Sequence, residues 1–312
     1  MRIFVTGASG WIGSALVPEL IDAGHHVVGL ARSDASARAL MGAGAEPHQG
    51  SLGDLESLRA GAKGADGVVH LAFIHDFAAH EDAVGVDLLA IETLVSTLEG
   101  SGHPLLIASG IAAKAAGPVT TERDPADPNF PRAAAAEMTL AAAQRGIRTG
   151  VVRLPPSVHG RGDRGFVPTL IEIARQRGVS AYIGEGANRW PAVHRLDAAR
   201  LFRLALDKAP PGAVLHPVGD EGVSTRAIAE VIGRHLDVPV TSVALEDAAS
   251  HFGWIGRFFG GIDAVASSAL TRELLHWEPT QPGLMDDLEQ GHYFEQPMSA
   301  TARSKLARAR GR

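Results

Sequence analysis

Three glycines near the start of the chain have a spacing that can bring the backbone close to a phosphate group. Gly7, Gly10 and Gly13 lie in Thr6-Gly-Ala-Ser-Gly-Trp-Ile-Gly13, between an apolar strand pattern and an amphipathic helix pattern. We expect Gly7 to form a tight turn, Gly10 to admit a pyrophosphate and Gly13 to allow close helix packing. The segment therefore predicts a dinucleotide site at a helix N-terminus. Its further predicted contacts are Ser9, Trp11 and Ile12.

The end of the second predicted strand indicates which dinucleotide binds. A carboxylate there would accept a hydrogen bond from the ribose of NAD, whereas the 2′-phosphate of NADP needs a cation. Ala31 occupies the expected acidic position, and Arg32 and Ser33 follow it. Asp34 argues for NAD, but it comes too late in the chain. We therefore expect NADP(H) held by Arg32 and Ser33, with NAD(H) less favoured and a merely solvated Arg32 as the alternative.

Short apolar runs that alternate with helical patterns must position this turn. Runs without polar alternation are typical of strands that are buried on both faces of a parallel sheet. The predicted strands are Ile3 to Val5, His26 to Leu30, Gly67 to Leu71, Leu105 to Ala108 and Thr149 to Leu154. The pattern predicts an α/β fold, a Rossmann-type doubly wound parallel sheet with a smaller C-terminal substrate-binding domain.

The sequence becomes dense in turn-forming residues after Arg153, which indicates a domain boundary. We predict an NADP-binding domain at 1–156, with a returning segment at about 192–218, and a small substrate domain at 157–191 and 219–297. In the returning segment we expect Asp197 to cap a helix from Ala198 to Leu206, followed by a strand from Val214 to Val218. The basic tail at 298–312 is interpreted as a frayed end rather than a binding arm.

Composition excludes several functional classes. The formal net charge of −6 gives no basic field for nucleic acid, and the absence of cysteine excludes disulfides and thiolate chemistry. Apolar runs fall short of the roughly 20 residues that a membrane helix needs. Because a strand pattern begins at once, leaving no room for an export signal, we expect a cytoplasmic protein. We expect no metal site, since His75 and His80 lack the spacing that shares a helix face.

Five segments, taken in order, resemble the short-chain dehydrogenase/reductase superfamily, and specifically its extended and atypical members of the NAD-dependent epimerase/dehydratase type. The segments are the glycine turn, Gly50-Ser-Leu-Gly-Asp54, Val69-His-Leu-Ala72, Arg153-Leu-Pro-Pro-Ser-Val-His-Gly160 and Val193-His-Arg-Leu-Asp197. The resemblance covers almost the whole chain. The cofactor contacts that it implies beyond the turn are Ser51, Leu52, Leu71, Ala72, Phe73, Arg132 and Pro155.

The usual catalytic centre of that superfamily is a tyrosine, a lysine four residues later, a serine or threonine, and an asparagine. Here the only tyrosines are Tyr182 and Tyr293, neither of them near the expected segment 128–137. Arg132 lies in the lysine neighbourhood, and Asp87 stands where asparagine is expected. The chain is similar to an atypical subgroup in which basic residues replace the tyrosine and lysine.

Candidate catalytic residues are therefore Ser109, Arg132 and His75. Arg132 would anchor the nicotinamide ribose or polarise a substrate oxygen, and its alternative is a surface arginine that pairs with an acid at a helix start. Ser109 follows a central strand, and its alternative is a capping role. His75 would be a general acid, although a lone histidine is more often structural. The predicted substrate contacts are His75, His159, Arg161, Trp190 and His194.

The resemblance and the residues together predict an NADP(H)-dependent oxidoreductase that transfers hydride to or from a small organic carbonyl or alcohol. A histidine or an ordered water would deliver the proton. Two alternatives stay open: a nucleotide-sugar epimerase or dehydratase, and an NADP(H)-binding sensor or regulator without catalysis. The expected partner is a small-molecule substrate, with neither nucleic acid nor membrane, and a homodimer stays open.

Overall fold

The structure is a computed structural model that describes residues 1–74, 80–111, 117–259 and 262–295. The side chains of 80–82 and 257–259 are outside the described set. His75 and the basic tail at 298–312 also lie outside the described residues, so the predictions made for them have no structural counterpart here.

Seven parallel strands form the central sheet, in the order β10-β6-β5-β4-β1-β2-β3. From β1 the chain adds β2 and β3 on one side and then β4, β5, β6 and β10 on the other, so the strand order reverses between β1 and β4, which is where open α/β sheets bind ligands. The strands are β1 (Arg2–Thr6), β2 (His26–Ala31), β3 (Glu46–Gln49), β4 (Gly67–His70), β5 (Pro104–Gly110), β6 (Arg148–Leu154) and β10 (Ala213–Leu215). This arrangement confirms the predicted Rossmann-type sheet.

Helices cover both faces of the sheet, which explains why its central strands are apolar throughout. Ile3, Phe4 and Val5 of β1 are fully buried, as two-sided coverage requires. One core lies beneath α1 (Gly13–Asp22), α2 (Asp34–Gly42) and α7 (Arg195–Lys208). A second core lies beneath α3 (Leu55–Lys63), α4 (His80–Leu98) and α5 (Ala133–Ala141). A 3₁₀ helix, Ala142–Arg145, follows α5.

The sequence patterns did not predict β3, and they placed one other strand too late in the chain. The β3 sequence Glu46-Pro-His-Gln49 is polar because it forms the sheet edge, where Glu46 and Gln49 are exposed. The predicted strand from Val214 to Val218 is shorter and earlier, at Ala213–Leu215, and it extends the large sheet beside β6. These differences leave the sheet order unchanged.

The prediction that Asp197 caps the following helix is wrong. α7 begins at Arg195, and the side chain of His194 caps it by accepting from the Leu196 N–H over 3.3 Å. The Asp197 carboxylate instead accepts from the N–H groups of Thr280 and Gln281 at 2.9 and 3.0 Å. A cap needs an acceptor just before the first helical residue, and Asp197 lies within the first turn.

The remaining elements form smaller sheets and helices after the boundary segment. A three-stranded sheet has the order β11-β9-β7, and β12 pairs with β8. The strands are β7 (Ser157–His159), β8 (Ser180–Ile183), β9 (Arg189–His194), β11 (Asp220–Ser224) and β12 (Val240–Val243). The helices are α6 (Phe166–Arg177), α8 (Thr225–Leu236), α9 (Ala248–Phe252), α10 (Trp254–Phe259), α11 (Ala269–Leu275), α12 (Leu284–Glu289) and the 3₁₀ helix Leu245–Asp247.

Candidate active site

The glycine turn comes closer to its surroundings than any other residue type would permit. Gly7 has φ of +69°, and a Cβ there would lie 2.7 Å from the backbone nitrogen of Ala72. A Cβ on Gly13 would lie 2.1 Å from the Gly7 carbonyl oxygen. No side chain caps α1, and although the Ser14 and Ala15 N–H groups donate to the Gly10 and Ile12 carbonyls, the Ile12 and Gly13 N–H groups have no acceptor among the described residues. The turn has the steric character expected of a phosphate cradle.

Trp11 ties this turn to the boundary segment. Its indole Nε1 donates a hydrogen bond to the Val158 carbonyl over 2.7 Å. The Arg195 guanidinium lies 4.3 Å from the centre of a Trp11 ring, a cation–π distance. Residues from β7 and the start of α7 therefore buttress the turn from one side.

The residues predicted to select the cofactor lie at the start of α2. Arg32 is exposed directly after β2. Ser33 is the N-cap of α2, where its hydroxyl accepts from the Ser36 N–H over 3.2 Å. Asp34 is the first helical residue and is also exposed. Ser33 thus has a capping role, and Arg32 is the cation available at this strand end.

The other predicted cofactor contacts lie after neighbouring strands. Ser51 is exposed after β3, whereas Leu52 is buried in the core. Leu71, Ala72 and Phe73 follow β4 and are partly buried, and Pro155 is buried after β6. All of these positions come at the C-terminal ends of parallel strands, which share one edge of the sheet.

A buried chain of hydrogen bonds runs from the glycine turn to Arg132. The Thr6 hydroxyl lies 2.9 Å from His70 Nδ1, and His70 Nε2 lies 3.1 Å from Asp87 Oδ1. Arg132 donates from Nε to Asp87 Oδ2 and from Nη2 to Asp87 Oδ1, both at 2.9 Å. The Ala72 N–H donates to the Thr6 hydroxyl over 3.3 Å. Thr6 is the last residue of β1 and His70 the last residue of β4, so this chain of hydrogen bonds starts where the strand order reverses.

Burial and neighbouring charges determine the protonation states of His70 and Asp87 in this hydrogen-bonded cluster. Burial lowers the pKa of His70, although Asp87 acts to raise it, so the ring is neutral at pH 7. Burial acts to raise the pKa of Asp87, but the His70 hydrogen bond and the Arg132 charge lower it overall. Asp87 is therefore ionised, the His70 proton lies on Nε2, and Nδ1 accepts from the Thr6 hydroxyl.

Arg132 combines features of both interpretations considered for it. It starts α5 and pairs with an acid, yet its side chain is only 10% exposed. Its guanidinium carbon lies 4.9 Å from the ring centre of Phe73, a predicted cofactor contact. Ser109 is buried at the end of β5, and its hydroxyl has no hydrogen bond to another described residue. The structure thus joins Arg132 to Phe73 but makes no direct bond between Arg132 and Ser109.

A second buried cluster surrounds His159 at the domain boundary. His159 Nδ1 donates to Asp287 Oδ2 over 2.8 Å, and His292 Nε2 donates to Asp287 Oδ1 over 2.9 Å. Burial acts to raise the pKa of Asp287, but these two contacts lower it to about 2. The Gly160 N–H donates to the Tyr293 hydroxyl over 2.9 Å. His159 Nε2 is buried without a hydrogen-bond partner in the described part of the chain.

The other predicted substrate residues have different surroundings. His194 stacks edge-on against His159, with ring centres 5.4 Å apart, and burial lowers its pKa. Arg161 is exposed. Trp190 is buried in an apolar cluster with Ile173, Phe252 and others, so packing accounts for it. Contact of any of these residues with a substrate stays a prediction.

Sequence reasoning missed Thr6, His70 and Asp287 as members of these clusters. Thr6 and His70 could have been found, because each lies within one residue of the end of a predicted strand beside the glycine turn. Asp287 lies in a short helix and belongs to no sequence motif that would have indicated its role. Neither tyrosine approaches Arg132: Tyr293 bonds to Gly160, and Tyr182 stacks with Arg226 at 5.4 Å.

The described part of the chain contains neither a membrane-spanning helix nor a metal-binding cluster. No helix among them has the length and apolar character needed to cross a membrane. Within the same part of the chain, no group of three or more His, Asp or Glu side chains is arranged to hold a metal ion.

Comparison with known proteins agrees with this geometry. An uncharacterized protein of Schizosaccharomyces pombe is 47% identical over 296 residues, which cover 94% of this chain and 100% of that protein. The 4-hydroxy-2-methyl-3-oxo-4-farnesyl-3,4-dihydroquinoline-1-oxide ketoreductase of Stigmatella aurantiaca is 27% identical, with 81% and 80% covered. A dTDP-glucose 4,6-dehydratase structure from Streptomyces venezuelae, with NAD bound, superposes with a TM-score of 0.76 at 20% identity, covering 95% and 97%. Residues 3–216 match the model of the NAD dependent epimerase/dehydratase family, and the chain therefore belongs to that family.

Proposed function

We propose that this protein is an NADP(H)-dependent oxidoreductase that interconverts a small organic carbonyl compound and its alcohol. The observation that carries the proposal is Arg132, buried beside Phe73 and held by Asp87 near the cofactor turn. A guanidinium in this position can donate to a ribose hydroxyl or to a substrate oxygen. The ketoreductase similarity at 27% identity supports carbonyl chemistry.

The glycine turn supports a dinucleotide cofactor, because a Cβ at Gly7 or Gly13 would meet backbone atoms within 3 Å. NADPH, when bound, supplies hydride to the carbonyl carbon and becomes NADP⁺, while one proton completes the alcohol. The residues that would hold it are Gly7, Ser9, Gly10, Trp11, Ile12, Gly13, Arg32, Ser33, Ser51, Leu52, Leu71, Ala72, Phe73, Arg132 and Pro155. Ser109 and Arg132 would bind the reacting oxygen.

A histidine or an ordered water would supply the proton. The hydroxyl of Tyr293 is engaged with Gly160, and burial raises its pKa, which makes it a poor proton donor. Tyr182, on β8, lies against the guanidinium of Arg226, on α8, and not against Arg132. These contacts support a reaction that proceeds without the tyrosine acid of related enzymes.

Turnover tests the proposal most directly. Purified protein is mixed with NADPH and a panel of carbonyl compounds, and the loss of NADPH absorbance is followed. Arg132→Ala should reduce kcat/KM by about 100-fold, the effect of losing a donor to a developing oxyanion. Unchanged rates in Arg132→Ala, Ser109→Ala and His75→Ala together would contradict this site. NADPH binding without oxidation would favour a sensor, and turnover of a nucleotide sugar would favour an epimerase or dehydratase.

Cofactor preference has a separate test. Arg32→Ala removes a charge-assisted contact, so NADPH binding should weaken roughly 10- to 100-fold while NADH binding changes less than about twofold. The matched control is Arg59→Ala, which removes the same charge from α3, at an arginine that pairs with Glu56. Equal losses for the two cofactors would contradict the preference for NADP(H).

A further inference from the structure

Arg132 reaches the site with its orientation already fixed. A guanidinium has five N–H donors, and Asp87 takes one from Nε and one from Nη2, which leaves three. Phe73 lies against the guanidinium at 4.9 Å. The bidentate bond and the ring together restrict rotation, so the direction of the remaining donors is set by Asp87.

Asp87 is itself held from behind. Both of its oxygens are engaged, Oδ1 by His70 and Arg132 and Oδ2 by Arg132. His70 is fully buried, and the Thr6 hydroxyl holds its other ring nitrogen. The Thr6 hydroxyl donates to His70 and the His70 ring donates to Asp87, so the direction of each hydrogen bond behind Asp87 is fixed.

The negative charge of Asp87 also neutralises the positive charge of Arg132. Asp87 is ionised, Arg132 is cationic and His70 is neutral, so the three described side chains sum to zero. A substrate oxygen here would meet directed N–H donors without a net positive field. Such a site favours a neutral carbonyl over a carboxylate or a phosphate, which gain most from an unpaired cation.

We propose that Asp87 is a positioning residue that aims Arg132 and masks its charge, so that the site selects neutral carbonyl compounds over charged oxoacids. This inference rests on the proposed reduction of carbonyl compounds. It extends that function by naming the substrate class and a residue that acts through Arg132.

Methyl pyruvate and pyruvate test the proposal, because they present the same ketone with and without a charge. In Asp87→Asn, the ratio of kcat/KM for methyl pyruvate to kcat/KM for pyruvate should fall at least about tenfold. The matched control is Glu99→Gln, which breaks an equally bidentate pair with Arg145, at 2.9 and 2.7 Å, on the exposed surface. Its ratio should stay within about twofold.

A purely structural Asp87 would lower the folded fraction and leave the ratio unchanged once rates are normalised to NADPH-binding sites. That outcome would overturn the proposal. Asp87→Glu serves if Asp87→Asn does not fold, since it keeps the charge and displaces the carboxylate. It should lower kcat for methyl pyruvate while the ratio stays constant, and an unchanged kcat would overturn the positioning role.

If the wild-type protein reduces neither compound, the rate ratio cannot be measured, but the charge masking remains testable by binding. NADPH-loaded protein is then titrated with pyruvate, and the NADPH fluorescence reports binding. Asp87→Asn should bind pyruvate at least about tenfold more tightly than wild type, because its Arg132 charge is exposed. Equal affinity would overturn the inference.

Discussion

Two buried clusters in the described chain pair a histidine with an aspartate, and they differ in what completes them. In the first, Arg132 bonds to Asp87 through two N–H groups and keeps three further N–H donors beside Phe73. In the second, His159, His292 and Tyr293 surround Asp287, and no arginine or lysine in the described part of the chain bonds to Asp287. The first cluster connects the cofactor turn to the site, whereas the second connects the C-terminal segment to the boundary loop.

The difference indicates that an Asp–His contact alone does not identify a functional group. The two clusters differ in whether the aspartate also holds a cation that keeps further N–H donors for a ligand. The predictions that follow treat the Asp287 cluster as structural and the turn's own contacts as part of cofactor binding.

The largest effect is expected for Asp287→Ala. The substitution leaves the His159 and His292 donors buried without an acceptor, so the free energy of unfolding should fall by about 3 kcal/mol. Urea denaturation at pH 7 measures the change. Asp286→Ala, at the exposed neighbouring position, is the control and should stay within about 0.5 kcal/mol. A loss of NADPH affinity in correctly folded Asp287→Ala would break the distinction between the clusters.

A smaller effect of opposite sign is expected for Asp163→Asn. Burial raises the pKa of Asp163 to about 6, against the N–H of Gly165, which acts to lower it. Above pH 6 the folded state holds a half-buried carboxylate, and below about pH 3 the group is protonated in both the folded and the unfolded state. Asp163→Asn should therefore stabilise the protein by about 1 kcal/mol at pH 8, and the gain should vanish by about pH 3. Urea midpoints across this range measure it, and a gain that persists unchanged at about pH 3 would contradict the assignment.

The smallest effect is expected for Trp11→Phe. The change removes the hydrogen bond to Val158 while keeping an aromatic ring beside Arg195. NADPH binding should weaken about threefold, which corresponds to losing part of one hydrogen bond. Fluorescence titration measures the affinity, and Trp277→Phe, which removes a similar indole bond to the Asp197 carbonyl outside the turn, is the control. An unchanged affinity would place Trp11 among the structural contacts.

Local patterns in the sequence were enough to predict the sheet and the glycine turn. Gly7 and Gly13 are required by contacts within a few residues or by the adjacent strand end, so the motif carries the information. β3 was not predicted because an edge strand can be polar. The prediction for Asp197 was wrong because an acidic residue near a helix start is typical of a cap, whereas the Asp197 carboxylate accepts from the N–H groups of Thr280 and Gln281, which are distant in sequence.

The pairing of Asp87 with Arg132 could not be derived from the sequence, although each residue was singled out. The two are 45 residues apart, and their bond depends on how α4 and α5 pack on the sheet. The burial of Arg132 has the same origin. An arginine at a helix start is usually solvated, and only the tertiary packing removes it from water.

The bond between Trp11 and Val158 has a consequence for the order of assembly. Its two partners are 147 residues apart, so the loop between them must close before the bond can form. On a ribosome, the glycine turn emerges long before the β7 strand that buttresses it. The cofactor turn therefore reaches its final form only after half of the chain has been synthesised, and refolding should recover nucleotide binding later than the sheet's secondary structure.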